Sequence, residues 1–285
     1  MYTPLFANKI KPGLILLLSI WLTACSSHRY LYYVPTPNNP TFEKKGDSKI
    51  SAEYSGTIQG NVESNGGAFQ GAYALTDHWA VGYNFDYREE KSTYHNIQFT
   101  SNDNNQIINN YYDSSLVFTQ RSAHEFSVGY YKSLNKSNSL FFSTYGGYGI
   151  GLIHMKESGT DSALNSYQRD LQAAIHKIFI QPSFYYRPTK NTTLALIAKV
   201  SGFYYQFSNN NYTQGEKVYY KMNINNKDPF IDLEPTFLFS FGWENVQIIA
   251  SYTFSAKLSG KPIDAIATSF SIGGSIDIAN IIRQR

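Results

Sequence analysis

The chain is 285 residues long, of which 16% are aromatic and 16% are charged, and its formal net charge is +3. So few charges argue against a disordered chain, and so many aromatic side chains favour β-strands. A net charge this small also argues against a nucleic-acid-binding surface. Composition alone does not indicate an activity.

The first 24 residues have the organisation of a secretory signal peptide. Lys9 and Lys11 precede an apolar run over residues 14–22, which is too short to span a membrane as a helix. The run ends in Leu22-Thr23-Ala24-Cys25, which resembles the bacterial lipobox. That resemblance implies cleavage before Cys25 and attachment of acyl chains such as palmitate to its thiol. The alternative is an ordinary signal peptide followed by a free cysteine.

Residues 25–48 are predicted to form a lipidated, irregular arm, because Pro35, Pro37 and Pro40 exclude a helix and disfavour a strand. From residue 49 to residue 278 the sequence changes to a two-residue alternation of apolar and polar side chains, with no convincing amphipathic helix. Residues 279–285 are left as a C-terminal tail. Lipid on Cys25, followed by Ser26, is compatible with an outer-membrane location.

The alternation predicts long β-strands. Between Trp79 and Tyr87 every second residue is aromatic or aliphatic, and the residues between them are small or polar. Turn signals divide the region into about ten strands. The sequence leaves the exact strand count open between eight and twelve. The predicted strands are 49–62, 67–76, 79–90, 121–133, 139–154, 172–187, 192–206, 229–242, 245–257 and 263–278.

The predicted connections alternate in length. Those over residues 76–78, 134–138, 188–191 and 243–245 are short, and those over residues 91–120, 155–171 and 207–228 are long and rich in Asn, Ser and Tyr. Short periplasmic turns and long external loops are typical of outer-membrane barrels. We therefore expect the long loops to face outside, and both chain ends and the lipid anchor to lie on the periplasmic side, with the anchor in the periplasmic leaflet.

Together these features predict an all-β fold, an antiparallel up-and-down transmembrane β-barrel of the bacterial outer membrane, in contact with its lipid. The predicted strands are longer than the usual five or six residues, and a membrane-spanning strand needs about 9–11. The alternative is a soluble periplasmic β lipoprotein, because alternation does not show which face points inward.

Four stretches of the mature chain resemble a group of uncharacterised outer-membrane lipoprotein barrels from Bacteroidota. The most distinctive is Gly71-Ala72-Tyr73-Ala74-Leu75-Thr76-Asp77-His78, and the others lie at residues 32–40, 180–184 and 233–237. The resemblance implies an outer-membrane barrel domain and no established activity. The chain ends in Arg285 rather than in an aromatic residue, which departs from the assembly signal of proteobacterial barrels.

No motif indicates catalysis, a metal or a cofactor. The histidines show no i,i+2 or i,i+4 spacing, and the glycine-rich run at residues 146–151 lacks the Gly-Lys-Ser/Thr ending of a phosphate loop. We therefore expect no enzyme activity, no catalytic residues, no metal and no cofactor. The glycines are expected to make room for bulky side chains inside a narrow barrel. Pro182 and Pro235 interrupt strand patterns and predict a bulge or a register break.

Several charged residues fall on the polar face and are predicted to form a charge network in the lumen. A bare charge in a narrow lumen is costly unless it is paired, so we expect Lys199 or Arg187 to face Asp232 or Glu234. The alternative is that these residues are solvated at the barrel rims. The predicted set is Glu53, Asp86, Arg88, Arg187, Lys199, Asp232 and Glu234.

Two functions remain open for such a barrel. The first is a structural, accessory or loop-mediated interaction role, with an envelope protein bound through the external loops. The second is binding or passage of a small ligand. A lumen closed by a charge network favours the first.

Overall fold

The computed structural model describes residues 29, 31–38, 40–59, 62–101, 107–160, 165–220, 222, 228–243, 245–260, 265–266 and 268–283. Within them the helices are α1 (Gln214–Tyr219) and α2 (Ile278–Arg283). The strands are β1 (Tyr32–Tyr33), β2 (Ser48–Gln59), β3 (Val62–Ala74), β4 (Trp79–Ser101), β5 (Ile107–Ser133), β6 (Leu140–Thr160), β7 (Ser166–Thr189), β8 (Thr192–Asn210), β9 (Phe230–Gly242), β10 (Val246–Phe254), β11 (Ala256–Ser259), β12 (Ala265–Ile266) and β13 (Thr268–Asp277).

Ten of these strands form a closed antiparallel barrel. β2 to β10, with β11 as an extension against β9, pair in sequence order, and β13 joins β10 to β2. Closure leaves no free sheet edge, which is what the hydrocarbon of a membrane requires. The short β1 and β12 pair with each other in parallel, separately from the barrel. The predicted all-β, up-and-down barrel of about ten strands is therefore confirmed.

The outward face of the barrel is apolar and its inward face is polar, the reverse of a soluble protein. On β7, Ile178 and Ile180 are 66% and 55% exposed, whereas the alternating Lys177 and Gln181 are buried. Such a continuous apolar surface is stable only against lipid. The chain is therefore a transmembrane β-barrel of the outer-membrane type, and the soluble alternative, with its apolar face inward, is wrong.

The barrel wall continues beyond this apolar belt at the end with the long connections, called here the long-loop end. On β4 the outward aromatic residues finish at Tyr87, and the exposed Glu89 and Lys91 follow. β4 and β5 nevertheless stay paired as far as Ser101 and Ile107, with a register shift after Thr100. The prediction of a loop over residues 91–120 was wrong for residues 91–101 and 107–120, because ladder pairing uses backbone groups and a strand in water needs no apolar face.

Two short helices were not predicted. α1 begins with a capping box, in which the Thr213 side chain accepts from the Glu216 N–H and the Glu216 carboxylate accepts from the Thr213 N–H. α2 occupies most of the segment predicted to be a tail. Each helix has six residues, fewer than two turns, which is too short for a periodic pattern to show. No helix among the described residues is long and apolar enough to cross a membrane.

The two strand prolines do not break the register. β7 and β8 keep one register on both sides of Pro182, from the Ile180–Val200 pair to the Ser183–Ile197 pair. On the other side of β8, Pro235 pairs with Ala198. The predicted bulges at these prolines are wrong, because each proline omits a ladder bond without inserting a residue.

Candidate functional site

The amino-terminal arm, described here by residues between 29 and 47, runs through the inside of the barrel. At the end with the short connections, called the short-turn end, the Gly46 N–H donates to the Ala74 carbonyl at 2.8 Å. At the long-loop end, Arg29 is 1% exposed and contacts Tyr94 of β4. The sequence predicted an irregular arm that leads from an anchor on the periplasmic side to the first strand, and it did not predict a course through the lumen. The described residues of the arm do run through the lumen, because they find buried partners along it.

Side chains of the wall satisfy the backbone of the irregular arm. The Thr36 carbonyl accepts from Gln70 at 3.2 Å and from Asn84 at 3.1 Å. Two residues further along the arm, the Asn38 side chain donates to the Tyr83 carbonyl at 2.9 Å. Buried backbone groups need such partners, so the inward polar residues of β3 and β4 hold a segment that has no ladder of its own there.

Arg29, the first described residue of the arm, forms an arginine clamp, defined here as Arg29 with Glu157, Ser115, Tyr94 and Tyr220. The guanidinium donates to both carboxylate oxygens of Glu157, at 2.5 and 3.0 Å, and to Ser115 at 3.0 Å. Its carbon lies 4.1 Å from the ring centroid of Tyr94 and 4.2 Å from that of Tyr220. A buried bidentate ion pair between aromatic rings is a specific, strongly oriented contact.

Further tyrosines fix the acceptor side of the clamp. Glu157 also accepts from Tyr212 at 2.7 Å and from Tyr167 at 3.2 Å. Burial, together with the charge of Glu157, raises the pKa of Tyr212 well above its usual value, so its hydroxyl remains a donor. Directly or through Glu157, the clamp therefore joins the arm to β4, β5, β6, β7 and the segment around α1.

Two adjacent tyrosines fill the lumen below the clamp. The ring of Tyr32 stacks on Phe203 with centroids 4.5 Å apart, and its hydroxyl donates to Glu234. The ring of Tyr33 lies under the Arg88 guanidinium, 3.1 Å from its carbon. The arm thus uses aromatic bodies to fill space and their hydroxyls to satisfy buried polar groups of the wall.

A lumen triad of Glu125, Lys177 and Lys199 lies beside these tyrosines. The Lys199 Nζ is 2.9 and 2.7 Å from the two Glu125 oxygens, and Lys177 forms an ion pair with the same carboxylate. The three side chains are 1–7% exposed. The Phe179 ring covers Lys199 with its centroid 4.2 Å from Nζ. One carboxylate therefore bonds both ammonium groups, and the nearby charge of Glu234 also acts on them.

The structure places the predicted lumen charges on the inward face. Arg187 is partly buried at the short-turn end, where it forms an ion pair with Glu43 of the arm. Glu53 accepts from Ser271 at 2.6 Å, and Asp232 accepts from Ser255 at 3.3 Å. The fully buried members of the predicted set are Glu53, Asp86, Arg88, Lys199, Asp232 and Glu234.

The partners of these charges differ from those expected. Lys199 stands opposite Glu234 in the β8–β9 ladder, but its ammonium group pairs with Glu125 on β5. The sequence prediction did not include Glu125 and Lys177. Both alternate with outward-facing residues, so applying the two-residue alternation along the whole of β5 and β7 would have placed them on the inward face. Arg29 was missed because the arm has no periodicity to interpret.

The lumen has little free space beside the arm. One cavity between Asn38 and Glu125 has a volume of about 10 Å³, no more than one water molecule needs. A polar vestibule of about 650 Å³ opens at the short-turn end, lined by Lys49, Arg187 and Asp277 among others. The barrel is therefore filled in its middle and open at this end.

Two sequence predictions concern chemistry outside these contacts. Cys25 lies outside the described residues. Among the residues that the structure describes, no group of three or more His, Cys, Asp or Glu side chains is arranged to hold a metal ion. A contact between His154 and Asp170, with 2.7 Å between Nε2 and Oδ1, lies at the long-loop end on the outward face.

Comparison with known proteins finds only distant similarity in fold. The outer-membrane protease OmpT from Escherichia coli is 9% identical, with 82% of this chain and 94% of that chain covered and a TM-score of 0.43. An outer-membrane channel from Pseudomonas putida F1 is 10% identical, over 85% and 100% of the two chains, with a TM-score of 0.37. The NanC porin is 10% identical, over 80% and 98%, with a TM-score of 0.31. No family model matches the chain, and no curated protein matches it either.

Proposed function

We propose that this protein is a lipid-anchored outer-membrane barrel whose own arm closes its lumen, and that it acts as a structural or accessory subunit through its long-loop end. The observation that carries the proposal is the arm, which occupies the lumen from Phe42 near the short turns to Arg29 near the long-loop end. A barrel filled in this way is neither a passive pore nor, in this proposal, an enzyme.

A conductance measurement tests the closed lumen. The purified protein in planar lipid bilayers should be silent, because the arm and the lumen triad fill its middle. A chain that starts at Phe42 and so lacks the lumenal part of the arm should open discrete channels. Glu216→Gln, a change at the rim outside the lumen, serves as the matched control and should remain silent. Stable channels from the intact chain would refute the proposal.

The long-loop end is proposed to face outside the cell. It carries the polar, water-exposed continuation of the wall beyond Tyr87, which is where a binding surface for an envelope protein would lie. An epitope tag within residues 102–106 should be reached by antibody on intact cells, whereas a tag after Thr189 should require permeabilised cells. The reverse result would mean that the barrel has the opposite orientation in the membrane.

Lipidation of Cys25 is proposed from the lipobox resemblance, and membership of the Bacteroidota lipoprotein barrels from the four stretches quoted for it. Metabolic labelling with a palmitate analogue, comparing the wild type with Cys25→Ser, tests the first. Equal label in both proteins would contradict it.

A passage barrel is the second candidate, and the vestibule at the short-turn end favours it. This space of about 650 Å³ lies directly below the arm, so withdrawal of the arm would connect it to the upper lumen. Channels that appear in the intact chain only when an added periplasmic extract displaces the arm would support this candidate.

A further inference from the structure

Three rows of outward side chains cross β4 to β8 where the apolar belt meets the polar continuation of the wall. Within each row, neighbouring strands pair residue by residue in the ladder. The lower row consists of Phe85, His124, Ile150, His176 and Tyr204. The middle row consists of Tyr87, Ser122, Leu152, Ala174 and Gln206, and the upper row of Glu89, Gln120, His154, Gln172 and Asn209. Such a boundary, where aromatic side chains give way to polar ones, is where lipid headgroups lie.

The middle row forms an outward groove. Ser122 and Ala174 are small and alternate with larger neighbours in the row, so the wall is indented on both sides of Leu152. The groove has a volume of about 590 Å³, and Gln120 and Gln172 of the upper row also line it. This volume lies within the range of small-molecule sites in proteins. The outer surface of the barrel therefore offers room for a headgroup at the depth where headgroups occur.

A β-bulge shapes the upper edge of this groove. The register of β7 against β8 shifts between Gln172 and Ala173, which leaves Ser208 without a ladder partner. The extra residue brings Asn209 to the outward face, where its side chain donates to the Asp170 carboxylate at 2.6 Å. Bulges of this kind re-aim side chains and are frequent beside functional sites. Here the bulge adds an amide to the polar edge of the groove.

Two carboxylates bound the groove, and neutral donors hold both of them. Glu89 accepts from the Tyr87 hydroxyl at 2.7 Å and from the Gln120 amide at 3.1 Å. Asp170 accepts from the Gln172 amide at 3.2 Å. Amides and carboxylates along one edge suit a ligand rich in hydroxyl groups, because each hydroxyl both donates and accepts a hydrogen bond.

The charges around the groove do not suit a phosphate. Glu89 and Asp170 would repel an anion at close range. Arg121 lies behind the groove on the inward face, where it is paired with Glu90 at 2.8 Å. The exposed Lys91 and Lys156 stand one row further up the wall, and the groove is not lined by them. A neutral headgroup therefore fits this site better than an anionic one.

The lower edge of the groove places two imidazole rings on the lipid-facing surface. The Nδ1 atom of His124 is 2.8 Å from the Tyr83 hydroxyl, and the Nδ1 atom of His176 is 2.6 Å from the Tyr148 hydroxyl. In either tautomer the second ring nitrogen stays polar, and a polar group facing lipid is stable only with a partner. A headgroup that reaches this depth supplies one. Tyr204, stacked on His176 at 4.9 Å, adds an aromatic face that is 43% exposed.

We propose that this groove is a glycolipid site, which binds the sugar headgroup of a lipid in the leaflet at the long-loop end. Aromatic faces pack against the carbon-bound hydrogens of a sugar, while amides and carboxylates bond its hydroxyls. The acyl chains of the same lipid lie along the apolar belt below, where Phe126, Ile150 and Ile178 are exposed. The inference requires the membrane location of the barrel, but neither the closed lumen nor the accessory role.

Lipid retention by the purified chain tests the inference. The full chain, in a detergent without a sugar headgroup, is incubated with equal amounts of monogalactosyl diacylglycerol, phosphatidylethanolamine and phosphatidylglycerol that carry the same acyl chains. Native mass spectrometry then measures which lipid stays bound. We expect the galactolipid to be retained at least about fivefold more than either phospholipid. Equal retention of the three lipids, or a preference for a phospholipid, would overturn the inference.

Variants of the groove locate the preference. Ala174→Phe fills the groove from its floor and should abolish the preference for the galactolipid. Val128→Phe, on the same outward face but within the apolar belt, is the matched control and should keep it. His176→Phe preserves a ring beside Tyr204 but removes the ring nitrogens, so the preference should weaken, and this variant tests the site even where Ala174→Phe does not assemble. Gel migration with and without heating shows which variants are folded. An unchanged preference in either folded groove variant would overturn the inference.

Discussion

The lumen triad and the pair at the rim use the same chemistry under different burial. In the triad, Glu125 and its two lysines are 1–7% exposed, whereas the Arg169 and Glu216 side chains at the long-loop end are 24% and 27% exposed. Water screens the second pair, so it contributes at most about 1 kcal/mol. A buried charge that loses its partner costs far more. The contrast shows that lumen charges depend on one another, while rim charges are replaceable.

The largest effect should come from removing the shared carboxylate. Glu125→Gln removes the carboxylate that bonds both Lys177 and Lys199 and leaves them the more distant charge of Glu234, so we expect the free energy of unfolding to fall by about 3 kcal/mol. Chemical unfolding in detergent micelles, followed by tryptophan fluorescence, measures it. The control is Glu89→Gln on the outward face, which should change stability by less than about 0.5 kcal/mol. Equal losses of stability in the two variants would mean that water reaches the triad and screens its charges.

Release of the arm at its upper end should be the next largest effect. Arg29→Ala leaves Glu157 with its tyrosine donors but without its cation, and we expect a loss of about 2–3 kcal/mol. Faster amide hydrogen exchange over residues 31–38 should accompany this loss, while residues 43–47, bonded to Asp47 and Ala74, should exchange as before. Arg169→Ala serves as the control. Unchanged exchange in the arm would show that the clamp does not hold it.

The barrel itself could be predicted from the sequence because the patterns that specify it lie within short stretches of the chain. Alternation over nine residues from Trp79 to Tyr87 fixes the two faces, and short turns fix the order of strands. Some of the lumen charges, such as Lys199 and Glu234, were found by the same alternation. Their partners were not, because a side chain in a narrow barrel reaches across the lumen to strands that are remote in sequence, as Lys199 reaches Glu125.

The course of the arm could not be predicted for a different physical reason. Prolines at 35, 37 and 40 exclude regular structure, and irregular segments usually lie in water. Here the arm is buried because single contacts satisfy it, such as Gln70 on the Thr36 carbonyl and Glu157 on Arg29. Such contacts leave no repeating signal in the sequence.

A smaller effect should come from the packing of the lumen around the triad. A β-carbon at Gly147 would clash with the Phe126 carbonyl oxygen and would lie 2.5 Å from the Phe179 ring, which covers Lys199. We expect Gly147→Ala to lower the free energy of unfolding by about 1–3 kcal/mol, because the backbone carbonyl that the new methyl group meets cannot move aside. Gly71→Ala is the matched control, because a β-carbon there meets nothing within 4 Å. Equal stability of the two variants would show that this region of the lumen is loosely packed.

The smallest effect should appear at the rim and only in acid. Burial acts to raise the pKa of Glu216, but hydrogen bonds from Arg169 and Thr213 outweigh it, so its pKa is lowered. A carboxylate with a lowered pKa stabilises the folded state above its unfolded pKa of about 4.3, and this contribution is lost as the pH falls through the lower folded value. Between pH 7 and pH 5 we therefore expect no change, and below about pH 4 the segment around α1 should loosen, with faster hydrogen exchange over residues 211–220. Glu216→Gln should remove this pH step while leaving the arm between 31 and 38 protected. If the pH step persists in that variant, another group causes the acid sensitivity. The contrast between rim charges that can be replaced and lumen charges that depend on one another would then be weaker.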